Sequence, residues 1–121
     1  AVLRFQNKDG LWHQEMSDPT SYVETSGSGL LLFGLGIMLE KGLLGKQYRK
    51  NLIRALQAYQ AYIAGDGSVS NTCIGCLCPG NGTKEDYKNR KWELNDHHAF
   101  GPVVLAFTQA AKIGITKIKK P

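Results

Sequence analysis

Residues 22–39, Tyr-Val-Glu-Thr-Ser-Gly-Ser-Gly-Leu-Leu-Leu-Phe-Gly-Leu-Gly-Ile-Met-Leu, constrain the fold more than any other stretch of the chain. The segment opens with small hydroxylated residues and glycines and then turns apolar with no polar face. Leu30, Leu31, Leu32, Phe33, Leu35, Ile37, Met38 and Leu39 point in every direction of a helical wheel. Such a helix must be enclosed on all sides or lie in a membrane. The run is shorter than the roughly 20 apolar residues that span a bilayer, and Glu40 and Lys41 close it. A buried helix over Ser26–Lys41 is therefore expected, ending at Gly42. Gly34 and Gly36 cost helix propensity but let neighbouring backbones approach. Its polar entrance, Glu24 to Ser28, is where a buried helix meets solvent.

Burying that helix takes more chain than is present. A second helix fits Gln47–Ala64, with Leu52, Leu56, Tyr59 and Ile63 at helical spacing and Gly65 after its end. The short connection between the two makes them antiparallel neighbours. A third helix starts near Pro102, where a fixed φ suits the first turn, and stops before Gly114. Two amphipathic helices cannot surround a third that is apolar all round. The 121 residues also start without Met. They are expected to be the C-terminal segment of a larger helical domain, all-α apart from a short β-hairpin or loop excursion around Ser68–Cys78.

The remaining pieces are short. Ala1 to Gln6 reads as a helix end, Asn7-Lys8-Asp9-Gly10 as a turn, Leu11 to Gln14 as an extended piece and Ser17 to Ser21 as a loop. Lys84 to Glu93 is highly charged and carries Tyr87 and Trp92. The net charge is +5, with positive residues spread over Lys41–Arg54 and Lys112–Lys120. That balance favours anionic partners in general, although each cluster alone reads as a solvated face. No nucleic-acid or membrane partner is expected.

Gly27-Ser28-Gly29 lacks both the Gly-Lys-Ser/Thr ending of a phosphate loop and the dinucleotide spacing, which excludes nucleotide binding. Cys73-x-x-Cys76-x-Cys78 reads as ordinary thiols in a loop. The alternative is a zinc tetrahedron of Cys73, Cys76, Cys78 and His98, in a module with nucleic acid as a further partner. Asn95-Asp96-His97-His98 precedes the third helix; capping explains one acidic or amide residue there but not two imidazoles. Trp12 and His13 form another polar-aromatic spot, with the indole as a platform for a sugar ring. Trp12/His13, Glu24–Ser28 and Asn95–His98 each lie at a loop-to-helix entrance, so an antiparallel helical array would bring them to one mouth.

Three pieces carry a family resemblance: Asp9-Gly10-Leu11-Trp12-His13-Gln14; Tyr22-Val23-Glu24-Thr25-Ser26-Gly27-Ser28-Gly29; and Asn95-Asp96-His97 running into Gly101-Pro102-Val103-Val104-Leu105-Ala106. In order and spacing the chain resembles the C-terminal part of the unsaturated uronyl hydrolases, glycoside hydrolase families 88 and 105. The cysteine excursion and His98 depart from the familiar pattern and point to a divergent subfamily. The resemblance implies an (α/α)6 barrel whose inner helices include Ser26–Lys41. It implies a substrate ending in a 4,5-unsaturated uronic acid, of the pectin or rhamnogalacturonan type, left by a polysaccharide lyase. An aspartic acid protonates the vinyl ether, water adds at the neighbouring carbon, and the hemiketal collapses to release the sugar. That aspartate is expected upstream; within this chain Asp96 is the one candidate. The implied contribution here is pocket wall: Trp12 and His13, the Ser26 and Ser28 hydroxyls at a helix N-terminus that suits a carboxylate, and His97. No cofactor is implied, the partners are an unsaturated uronide and the remainder of the barrel, and a bacterial cytoplasmic or periplasmic location is expected. The competing expectation is a non-catalytic helical domain that binds an acidic sugar or another anion.

Overall fold

The computed structural model describes residues 1–75, 78 and 80–119. A single-turn 3-10 helix (Val2–Phe5) leads to α1 (Thr25–Glu40), then to α2 (Arg49–Tyr59), flanked by 3-10 turns over Lys46–Tyr48 and Gln60–Tyr62. The excursion holds β1 (Thr72–Cys73), α3 (Lys84–Lys88) and β2 (Trp92–Glu93), and α4 (Phe100–Lys112) closes the order. The three long helices fall where the apolar spacing placed them. The strand differs from the expected local hairpin. β1 pairs antiparallel with β2, Thr72 opposite Glu93 and Cys73 opposite Trp92, so the pairing crosses the whole excursion. The charged Lys84 region, read from sequence without an element, starts a helix because Thr83 and Asp86 form a reciprocal capping box.

Packing fixes the helix directions. A Cβ added at Gly29 would sit 2.7 Å from Pro102 Cβ and 2.6 Å from the Tyr59 hydroxyl. Seven residues on in both helices, one added at Gly36 would sit 2.6 Å from Gln109 Cγ. α1 and α4 therefore run parallel, and Gly29 and Gly36 are the positions that let them approach. Gly34, expected to share that role, faces open space. α2 runs the other way. Tyr59, at its C-terminal end, donates its hydroxyl to Thr25 O at the start of α1 (2.8 Å), while Arg49 donates to Ile113 O beyond the end of α4 (2.9 Å).

The core fills the space between the three helices. It comprises Leu32 and Leu35 of α1, Leu52, Ala55, Leu56 and Tyr59 of α2, Ala106 and Ala110 of α4, and Leu11, Trp12 and Ile115 from the flanking segments. Tyr59 stacks on Phe107 with ring centroids 6.0 Å apart. Gly10 (φ +97°) turns the chain against Ala55, where a Cβ would lie 3.0 Å from the alanine methyl. Only glycine adopts that backbone and leaves that space without strain. Part of the apolar surface stays open: Leu30 and Met38 of α1 and Phe100, Val104 and Leu105 of α4 are exposed, Val104 by 62%. No described helix is long and apolar enough to cross a membrane.

Candidate functional site

The sequence spots at Trp12/His13, Glu24–Ser28 and Asn95–His98 meet at the N-terminal ends of α1 and α4. Trp12 N–H donates to Ser28 Oγ (3.0 Å), and Glu24 N–H donates to Trp12 O (3.0 Å). Thr25 N–H reaches Asn71 O (3.0 Å), and the Thr25 hydroxyl meets Ser70 O (2.9 Å) and the Thr72 hydroxyl (2.8 Å). Asn95 then clasps Val69 in both directions: its N–H donates to Val69 O and its Oδ1 accepts from Val69 N–H, each at 2.8 Å. The segment 69–73 is thus the bridge between the two helix entrances. Asn95 holds φ +59°, a left-handed conformation that asparagine tolerates better than most residues.

Within this meeting place the residues sort by burial. Trp12 is 2% exposed, and its indole N–H donates to Val2 O at 3.0 Å, so the ring is core and offers no open platform. Ser28, 1% exposed, spends its hydroxyl on the Trp12 backbone. The helix N-terminus expected to receive a substrate carboxylate is already filled by one from the chain itself. Glu24 accepts from Ser26 N–H (3.0 Å), Ser26 Oγ–H (2.7 Å), Gly27 N–H and Cys73 N–H (3.1 Å). A long acidic side chain curling back onto its own helix start satisfies donors that would otherwise be orphaned. Ser26 stays half-buried at the surface of this cap. The Tyr59 hydroxyl, buried behind it, has its pKa pushed up by desolvation and, secondarily, by the Glu24 charge.

His13 remains accessible. It is half-buried and forms an antiparallel bridge with Val23. Its Nδ1 lies 2.6 Å from Ser21 O. A carbonyl can only accept, so Nδ1 carries the proton and Nε2 is the acceptor of the neutral ring. The ring lines an open cleft of about 500 Å³ with Arg4, Phe5, Gln6, Lys8 and Met16. The cations at Arg4 and Lys8 were not singled out from sequence; nothing in their spacing marks them, and only the fold sets them beside His13.

Asp96 is 8% exposed, and its carboxylate accepts from the His98 N–H at 3.0 Å and from His98 Nδ1; His97 Nδ1 stands 3.5 Å away. The His98 backbone N–H holds the Asp96 carboxyl below the usual carboxylate range, with the His98 side chain and the electrostatic influence of the two neighbouring histidines adding to it. This is an Asx turn rather than a helix cap, since the carboxylate makes no bond to the first turn of α4. His98, set aside from sequence in favour of His97, is the histidine oriented by the carboxylate. His97 is 82% exposed at its side chain and lies against His98 with ring centroids 3.9 Å apart and the planes tilted by 36°.

Ligand-capable atoms of Asp96, His97 and His98 lie within 4.8 Å of one another, three donors where structural zinc takes four. The alternative zinc set is not assembled among the described residues. Cys73 is buried with its thiol accepting from Gln14 Nε2 (3.3 Å), Cys78 is exposed, and Cys76 lies outside the described residues.

A sequence model of the family described as Glycosyl Hydrolase Family 88 matches residues 1–113. The unsaturated rhamnogalacturonyl hydrolase YesR of Bacillus subtilis (strain 168) is 35% identical over 88 residues, covering 73% of this chain and 23% of that protein. Two crystal structures described as possible members of the GH105 family are similar in fold. The one from Salmonella enterica gives a TM-score of 0.83 at 20% identity, over 93% of this chain and 29% of that one. The one from Klebsiella pneumoniae gives 0.82 at 21% identity, with the same coverage. A Clostridium acetobutylicum glycoside hydrolase of family 105 gives 0.77 at 20% identity, over 92% of this chain and 34% of that one. The chain thus spans about a quarter to a third of these relatives. With the match running through all three convergent segments, the chain belongs to glycosyl hydrolase family 88.

Proposed function

We propose that the full-length protein is an unsaturated uronyl hydrolase of the rhamnogalacturonan type, and that residues 1–121 form one sector of its (α/α)6 barrel. The observation that carries this reading is the meeting of the family's three segments at one end of two parallel helices, α1 and α4, backed by an antiparallel α2. Parallel inner helices with returning outer ones are the repeat of such a barrel. The exposed apolar side chains Leu30, Phe100 and Val104 are then the surface on which the remaining helices pack. The relative named as an unsaturated rhamnogalacturonyl hydrolase supports the substrate class.

In this reading the reaction adds water across the 4,5 double bond of a terminal unsaturated uronate. The proton goes to C4, the hydroxyl to C5, and the hemiketal opens with loss of the leaving sugar. Asp96 is given no proton-donating role in this reading: its carboxylate is engaged by the His98 N–H and imidazole, and that backbone N–H holds its carboxyl below the usual range. The residues offered to the sugar are His13 with its accepting Nε2, the Ser26 hydroxyl at the rim, and the His97–His98 pair braced by Asp96. Trp12 and Ser28 hold the wall from behind.

The test is to give the full-length protein lyase-generated unsaturated disaccharides and follow the ultraviolet absorbance of the conjugated double bond. Its steady loss, with release of the neighbouring sugar, is the expected result. Unchanged absorbance across galacturonate-derived substrates overturns the hydrolase reading in favour of a sugar- or anion-binding domain.

A further inference from the structure

The excursion that the family pattern leaves unexplained builds a second cleft. It is an open, shallow hollow of about 410 Å³ between Ser21 and Tyr22 on one side and Lys88, Arg90, Lys91 and Trp92 on the other. Trp92 is 44% exposed. Its backbone is nevertheless fixed, because β2 pairs with the buried β1 through Cys73 and Lys91 O accepts from Ile74 N–H at 3.1 Å. An exposed indole on an anchored strand is a preformed flat surface, which loses little freedom when something stacks on it.

Among the described residues, the charged side chains lining this cleft are all cationic. Arg90 and Lys91 also line a neighbouring hollow with Glu85 and Asp86. Lys88 is partly neutralised by Asp18 at 3.6 Å, but among the described residues neither Arg90 nor Lys91 forms an ion pair. The Arg90 guanidinium is held in place by the carbonyls of Ile74 and Gly75, which orient it without cancelling its charge. The cleft also adjoins the candidate site. Ser21 lines it, and the Ser21 carbonyl is the acceptor for His13 Nδ1. The His13 cleft and the Trp92 cleft therefore flank one loop.

We propose that the Trp92 cleft is a subsite for the acidic part of a bound oligosaccharide, with a sugar ring stacked on the indole and its carboxylate facing Lys91 and Arg90. The substrate class rests on the hydrolase reading; the site itself rests on the cleft, its anchored aromatic and its uncompensated cations. It extends binding past the terminal sugar, so longer acidic chains gain over disaccharides. A single-stranded nucleic acid has the same gross chemistry of rings and anions, and the experiment separates the two.

Binding of a saturated oligogalacturonide to the full-length protein is measured by calorimetry, since that ligand has no double bond to turn over. Trp92→Ala and Lys91→Ala are each expected to weaken binding about tenfold, the change that ~1.4 kcal/mol represents. Trp92→Tyr is expected to retain most of it, and disaccharide turnover to stay unchanged in all three variants. Unchanged affinity in Trp92→Ala and Lys91→Ala overturns the subsite. So does equal loss for a neutral oligosaccharide of the same length, or tighter binding of a single-stranded oligonucleotide at the same salt. A parallel fall in disaccharide turnover also overturns it, because Trp92 would then belong to the scaffold or to the reaction site. A wild-type protein that binds the oligogalacturonide with this variant pattern yet turns over no unsaturated disaccharide overturns the hydrolase reading and supports the subsite.

Discussion

The Glu24 carboxylate accepts a hydrogen bond from the Cys73 backbone N–H at 3.1 Å, across 49 residues of chain. The same carboxylate caps α1 through Ser26 and Gly27, so one side chain ties the helix start to the strand bridging both helix entrances. Glu24→Ala strands three backbone donors at once. A lost cap together with the buried, unsatisfied Cys73 N–H is expected to cost about 2–4 kcal/mol. Glu24→Gln, which keeps an accepting oxygen, is expected to cost less than half of that. Denaturant unfolding of the full-length protein and the two variants checks the order; equal stability for Glu24→Ala and wild type would show that the cap carries no energy.

Gly29→Ala places a methyl within 2.6 Å of the Tyr59 hydroxyl and 2.7 Å of Pro102 Cβ. Proline cannot yield by a rotamer change, so α1 and α4 must move apart. Overpacking of this kind is expected to cost about 1–3 kcal/mol, and somewhat more here because the Tyr59–Thr25 bond is strained with it. A melting temperature within a degree or two of wild type, on the order of 0.5 kcal/mol or less, would contradict the close approach.

How much of this was legible depended on whether a residue's role is local or tertiary. The helix extents followed from apolar spacing and glycine punctuation, because both are local. Asn7 made a readable turn for the same reason: its side chain accepts from the N–H groups of Asp9, Gly10 and Leu11. The strand pairing was not legible, since Cys73 and Trp92 meet only after the excursion folds back. The exposure of Trp12 was not legible either. Trp12 looks like a rim residue beside His13, but it packs into the core together with Leu11 while His13 lines the cleft. Likewise Gly34 and Gly36 are indistinguishable in sequence; only the α4 contact makes Gly36 necessary.

The exposed face of α1 and α4 gives a third prediction. Val104 is 62% exposed and Leu30 51% exposed. If the remaining barrel packs on this face, Val104→Asp in the full-length protein buries an unpaired charge. A loss of about 2 kcal/mol or more is then expected, against the ±0.5 kcal/mol typical of a solvent-exposed site. Denaturant midpoints decide it, and a near-neutral result removes the packing role proposed for this face.

Acid stability supplies the last prediction, through the loop that separates the two clefts. Asp18 accepts from the Thr20 hydroxyl (2.6 Å) and the Thr20 N–H (3.0 Å), with Lys88 at 3.6 Å. The Thr20 hydroxyl, then its N–H and more weakly Lys88, lower the Asp18 pKa from 3.8 to about 2. Because the folded state binds this proton less readily than the unfolded one, the carboxylate's contribution is fully present above the unfolded pKa. It fades as the pH falls from 3.8 toward about 2. Asp18→Asn cannot titrate. The stability gap between wild type and variant should therefore be constant from neutrality down to about pH 5 and close progressively below pH 4. Urea midpoints across that range measure it. A gap that persists unchanged at the acid end would mean that Asp18 holds the loop by shape rather than by charge.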